Sequence, residues 1–104
     1  MSVTDAEIQA IANTIVRAFK PDKIVLFGSH AARSAGPDSD VDMLVVLPFE
    51  GPAYQTAAGI RLALPFNISF DIIARTPQQI AAKSGGPITT EALATGIVLY
   101  EKAA

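Results

Sequence analysis

Phe27-Gly28-Ser29, then Pro37-Asp38-Ser39-Asp40-Val41-Asp42, then the apolar run Met43-Leu44-Val45-Val46-Leu47, is the stretch that decides how this chain folds. The apolar run just before it, Lys23-Ile24-Val25-Leu26-Phe27, has the length and β-branched content of a buried strand and stops at a glycine followed by a serine. A turn there that opens onto a helix would aim backbone N–H groups and the Ser29 hydroxyl outward, where the partial positive charge of a helix start favours a phosphate. Asp40 and Asp42 stand two residues apart at the entrance to the second run. In a strand both carboxylates leave from one face, about 7 Å apart. Magnesium takes oxygen ligands, keeps several waters and is held by one or two carboxylates plus substrate phosphates. The segment therefore reads as a phosphate cradle followed by a metal site.

A third acid extends this reading. Ile68-Ser69-Phe70-Asp71-Ile72-Ile73-Ala74 is an apolar run with a single carboxylate in its middle. Such an acid is costly inside a strand unless it is paired, hydrogen-bonded or metal-bound. Placed beside the strand that follows Asp42, it brings three carboxylates together, a set suited to one or two Mg²⁺ ions in phosphoryl chemistry.

Gly28-Ser29-His30-Ala31, Pro37 to Asp42 and Phe70-Asp71-Ile72-Ile73 together resemble the minimal nucleotidyltransferases, a branch of the DNA polymerase beta superfamily. Arg75 to Ile80 and the ending Ala94 to Glu101 resemble that family's usual tail, so the likeness spans nearly the whole chain. The resemblance implies that Gly28 and Ser29 hold the β- and γ-phosphates of a nucleoside triphosphate. It also implies that Asp40 and Asp42 bind Mg²⁺, and that Asp71 completes the site and assists deprotonation of an acceptor hydroxyl. The implied reaction is in-line attack on the α-phosphate with release of pyrophosphate, a chemistry that rests on positioning and charge neutralisation. ATP is the implied substrate, and the implied acceptor is a hydroxyl of a partner protein, a small helical protein of the HEPN type in a toxin–antitoxin pair. A non-catalytic module that occludes such a partner is the alternative. The family commonly reads Gly-Ser-x-Ala-Arg-Gly, whereas this chain has Ala32 at the arginine position and Arg33 at the second glycine position.

Other residues carry two readings each. Arg33 and Ser39 join the expected phosphate-binding set, and Arg61 and Arg75 are candidate triphosphate contacts, all against the alternative of solvated surface residues. His30, the single histidine, reads as a bystander on a loop, with a phosphate contact as the alternative. Asp38 reads as a turn or capping residue rather than a ligand. Tyr54 and Tyr100 read as packing residues, with stacking on a base as the alternative.

Composition sets the bounds. The 104 residues suit one domain, and half of them are hydrophobic, which supports a compact fold. The net charge of −2, without a lysine and arginine cluster, argues against nucleic acid as partner. The absence of cysteine excludes disulfides and thiolate metal sites. No basic, apolar leader or run of the roughly 20 residues needed to span a bilayer is visible, so a cytoplasmic protein with no membrane association is expected. A homo-oligomer is a further expectation, since a second chain would complete the cleft.

Along the chain, Thr4-Asp5-Ala6-Glu7 has capping-box form and opens an amphipathic helix that Pro21 prevents from continuing. The reading then places a strand at 23–27, a short helix near 29–33, a strand at 41–47 and a largely buried helix at 53–64. A strand around Asp71, a helix from the Thr76-Pro77 cap to Lys83, a helical turn or two near 89–95 and a strand at 97–100 follow. This order predicts an α/β (α+β) fold, a small mixed sheet backed by helices, as one domain over residues 1–104, and the resemblance implies that this sheet is like the palm of polymerase beta.

Overall fold

A computed structural model describes residues 3–103. Its elements are α1 (Asp5–Phe19), β1 (Lys23–Phe27), α2 (Gly28–Ala31), β2 (Val41–Val46), α3 (Ala53–Leu62), β3 (Phe70–Arg75), α4 (Pro77–Ala81), α5 (Pro87–Thr95) and β4 (Ile97–Glu101). The four strands form one mixed sheet in the order β3-β2-β1-β4. β1 runs antiparallel to both β2 and β4, whereas β2 and β3 are parallel, the pairing that requires the α3 crossover between them.

α1 forms where its capping box places it. Thr4 Oγ1 accepts from the Glu7 N–H at 3.1 Å and Glu7 Oε1 accepts from the Thr4 N–H at 3.0 Å. Ile8, Ile11, Ala12 and Ile15 follow at helical spacing and are all buried. The helix ends at Phe19, with Lys20 in the left-handed conformation, ahead of Pro21.

Alternation along β1 and β2 feeds two apolar clusters on opposite faces. Ile24, Leu26, Val41, Met43 and Val45 pack with α1 and with Ile60 and Leu64, giving the larger core. Val25, Leu44 and Val46 pack with Ala92 of α5, flanked by Phe27, Ile73 and Ile80. β2 is one of the two interior strands, and Asp42 is its one residue that is not buried.

Three elements depart from expectation. The helix expected at 53–64 stops at Leu62 and is not of buried type: Ile60 is its one buried residue, while Tyr54 and Leu62 are 71% and 70% exposed. Ala57 and Ile60 face the sheet, so Leu62 lies on the opposite face, while Tyr54 sits at the edge of the helix beside Ala57 and β3. Tyr54, so exposed, is not a packing residue, although Tyr100 does pack against the larger core. The strand with Asp71 begins at Phe70 rather than two residues earlier. α4 ends at Ala81 because Lys83 takes the left-handed conformation and the Ser84 N–H returns to the Gln79 carbonyl. Among the described residues no helix is long and apolar enough to cross a membrane.

Candidate active site

β1 delivers the chain to the Gly28 turn, and the β1·β2 register places Phe27 opposite Asp42. Gly28 has φ +72°, and a Cβ built there would overlap the Asp42 carboxylate, with Asp42 Cγ at 3.0 Å. Glycine is required on both counts. The expected cradle and the second expected metal ligand are therefore in direct contact.

α2 is closed by a Schellman arrangement. The Ser34 N–H donates to the Ser29 carbonyl at 2.9 Å and the Arg33 N–H to the His30 carbonyl at 3.3 Å, with Arg33 itself at φ +61°. This is the position that glycine favours. Arg33 turns its guanidinium away from the cradle, onto both carboxylate oxygens of Asp5 at 2.8 Å, in an exposed pair.

The following loop returns to the sheet through a tight turn. Ser39 Oγ accepts from the Gly36 N–H at 2.9 Å and the Ser39 N–H donates to the Gly36 carbonyl at 3.2 Å. Ser39 thus shapes the loop that leads into Asp40, which is exposed and lies one residue before β2. Asp38 lies in the turn, as expected.

The parallel register sets Asp42 opposite Asp71. Residues paired across a sheet share a face, so both acids leave on the side of Val25 and Leu44, away from the larger core. Asp71 is not the buried mid-strand acid that its apolar neighbours suggest. It is the exposed second residue of an edge strand, so its charge does not depend on a buried partner. Partial burial is the main influence that raises the Asp42 carboxyl above its usual range, repulsion from Asp71 and then Asp40 adds to it, and His30 opposes it.

No group of three or more His, Cys, Asp or Glu side chains that could hold a metal ion is found among the described residues. Asp42 and Asp71 share a register position, and like charge from Asp71 and Asp40 crowds the Asp42 carboxylate. A hard cation that keeps its waters and shares phosphate oxygens needs one or two carboxylates, which such a pair offers.

His30, read from the sequence as a bystander on a loop, is placed otherwise. It belongs to α2 rather than a loop and is 8% exposed, with Nε2 3.4 Å from the Ser39 carbonyl oxygen. Arg61 and Arg75, the other candidate triphosphate contacts, are engaged by backbone carbonyls. The Arg61 guanidinium donates to the carbonyls of Leu64, Pro65 and Ile68 and lies over the Phe70 ring at 5.1 Å. Arg75 donates to the Gly85 and Ala74 carbonyls. Beside the Gly28–Ser29 turn, Ser34, Glu91 and Thr95 help line a cavity of about 380 Å³. Nothing local in the sequence points to Glu91 or Thr95, which reach the turn only through the packing of α5.

A mixed four-stranded sheet that gathers a glycine turn and paired aspartates at one end defines the class: a domain of the nucleotidyltransferase type. Residues 8–82 match the nucleotidyltransferase domain family, and the chain belongs to that family. The fold is also that of solved structures with low sequence identity. A Sulfolobus solfataricus protein described as a candidate nucleotidyltransferase aligns at TM-score 0.63 and 15% identity, covering 91% of this chain and 78% of its own. A toxin–antitoxin crystallised with AMP-PNP aligns at TM-score 0.62 and 17% identity, covering 90% and 73%. A mutant of the toxin–antitoxin MntA-HpeT aligns at TM-score 0.59 and 15% identity, covering 89% and 71%. No curated protein sequence matches the chain.

Proposed function

We propose that this chain is a Mg²⁺-dependent nucleotidyltransferase that moves AMP from ATP to a hydroxyl of a partner protein, as the antitoxin of a toxin–antitoxin pair whose toxin is a small helical protein of the HEPN type. The observation that carries the reading is the Asp42 carboxylate seated against Gly28 and paired in register with Asp71. Membership of the nucleotidyltransferase domain family supports the reaction class. The toxin–antitoxin structures that share the fold, one of them with an ATP analogue, support the setting.

Asp40, Asp42 and Asp71 would hold Mg²⁺, which when bound neutralises charge on the triphosphate and on the departing pyrophosphate. The Gly28–Ser29 turn presents its N–H groups and the Ser29 hydroxyl to the β- and γ-phosphates. Asp71, solvated at the start of an edge strand, accepts the proton of the acceptor hydroxyl as its oxygen bonds to the α-phosphorus. The bond from that phosphorus to the bridging oxygen breaks, and pyrophosphate leaves.

A second reading, an occluding antitoxin without turnover, is favoured by one feature: Ala32 brings no charge to the cradle and Arg33 is tied to Asp5. Calorimetric titration of ATP with Mg²⁺ and with EDTA, into wild type and into Asp40→Ala and Asp42→Ala, tests the site. Metal-dependent binding lost in both variants supports the enzyme, and transfer of label from α-³²P-ATP to a co-expressed partner separates it from the occluding module. A folded wild-type chain that binds no ATP even with its partner would overturn the enzyme reading.

A further inference from the structure

We infer that His30 is a positioning residue that fixes Asp40 relative to the Gly28–Ser29 turn by tying α2 to the Ser39 carbonyl. The inference rests on the proposed nucleotidyl transfer and assigns it a residue beyond the carboxylates and the cradle.

The three acids are not held alike. Asp42 and Asp71 lie inside the strand ladder and share a register position, whereas Asp40 precedes β2 and has no place in that ladder. On its C-terminal side Asp40 is anchored by the Val41 N–H, which donates to the Ser69 carbonyl at 2.9 Å. On its N-terminal side it is anchored by Ser39, whose hydroxyl and N–H both engage Gly36. A third attachment ties that small turn to α2. His30 supplies it: the ring is nearly enclosed, follows Ser29 directly, and has Nε2 3.4 Å from the oxygen of the peptide unit whose nitrogen belongs to Asp40. A carbonyl only accepts, so the ring must carry its proton on Nε2 to make this contact. One imidazole thus links the segment that bears the proposed phosphate donors to the peptide unit of Asp40, an outer-shell role of the kind that tunes metal affinity.

Three measurements on the full chain test this. His30 is the single histidine, so long-range ¹H–¹⁵N spectra of the wild type report one imidazole without ambiguity. A proton on Nε2 is expected, and a ring protonated only on Nδ1 would overturn the inference whether or not any variant folds. His30→Leu keeps apolar bulk and drops the donor, while His30→Gln restores an amide N–H able to reach the same carbonyl. The Mg²⁺ concentration that half-saturates ATP binding should rise about tenfold or more in His30→Leu and return towards wild type in His30→Gln. A folded His30→Leu variant with lowered thermal stability but wild-type Mg²⁺ dependence makes the residue merely structural and overturns the inference alone. Failure of the wild type to bind ATP with Mg²⁺ overturns the proposed function, and this inference with it.

Discussion

Asp42 and Asp71 occupy opposed positions of the parallel β2·β3 pair, so two carboxylates leave the sheet side by side on its thinly covered face. Burial, then Asp71 and Asp40, hold the Asp42 carboxyl above its ordinary value. An acid whose pKa is raised by folding contributes most to stability below its unfolded pKa, and that contribution is lost as pH rises through the folded pKa. Asp42→Asn should therefore raise the unfolding midpoint of the metal-free protein at neutral pH, with the gain vanishing well below the ordinary carboxylate value of 3.8. The same substitution should remove Mg²⁺-dependent ATP binding and lower transfer by about 100-fold or more. Thermal melts across pH in EDTA, set beside calorimetry with Mg²⁺, check both halves.

Gly28→Ala should fail twice. A left-handed non-glycine residue costs roughly 1–2 kcal/mol, and the added methyl must also displace the Asp42 carboxylate. Lower stability in denaturant titration together with lost ATP binding is expected, whereas Gly51→Ala, at φ +82° with open space around it, should carry the backbone penalty alone and bind normally.

Arg33 occupies the left-handed position that ends α2, where the resembling family commonly has glycine. Its ion pair with Asp5 is exposed on both sides and contributes about 0–1 kcal/mol. Relief of the backbone outweighs that loss, so Arg33→Gly should stabilise the chain by roughly 0.5–1 kcal/mol in urea unfolding. ATP affinity should be unchanged, since the guanidinium is already committed to Asp5. A marked fall in affinity would show that Arg33 leaves Asp5 for the phosphates.

Arg61→Lys should not be conservative. The guanidinium spans three carbonyls of the α3–β3 connection and covers the Phe70 ring, which an ammonium cannot reproduce. A loss of about 1–3 kcal/mol is expected in thermal or urea unfolding. Because the segment it braces leads into Asp71, the Mg²⁺ requirement for ATP binding should rise as well.

Much of this arrangement is legible in the chain, and what is not has definite causes. The capping boxes at Thr4 and Thr76 act through bonds between residues three apart, and β1 and β2 are nearly continuous apolar runs, so local chemistry suffices for them. The outer face of α3 misleads because Leu62 reads as apolar and therefore buried, whereas its side is set by the phase of Ala57 and Ile60 on the sheet. Asp71 misleads likewise: an edge strand leaves its first residues in water, and edge position follows from strand order. The roles of Arg33 and His30 depend on partners 28 residues away and 9 residues away, and no local pattern encodes either pairing.

The parallel register of β2 and β3 has a consequence for how such a chain tolerates insertions and deletions. Phe70 and Ile72 pack into the larger core while Asp71 between them faces the site, so the chemistry of this strand is a matter of odd and even positions. Slippage by a single residue exchanges the two sets, sending a carboxylate into the core and a phenyl ring out to the face that Asp42 occupies. Length changes in the connection from Ala63 to Ser69 leave that parity intact as long as Phe70 stays opposite Val41. Length changes in this domain should therefore fall outside β2 and β3, and those in the connection must also keep Leu64 in the core and the carbonyls that Arg61 spans.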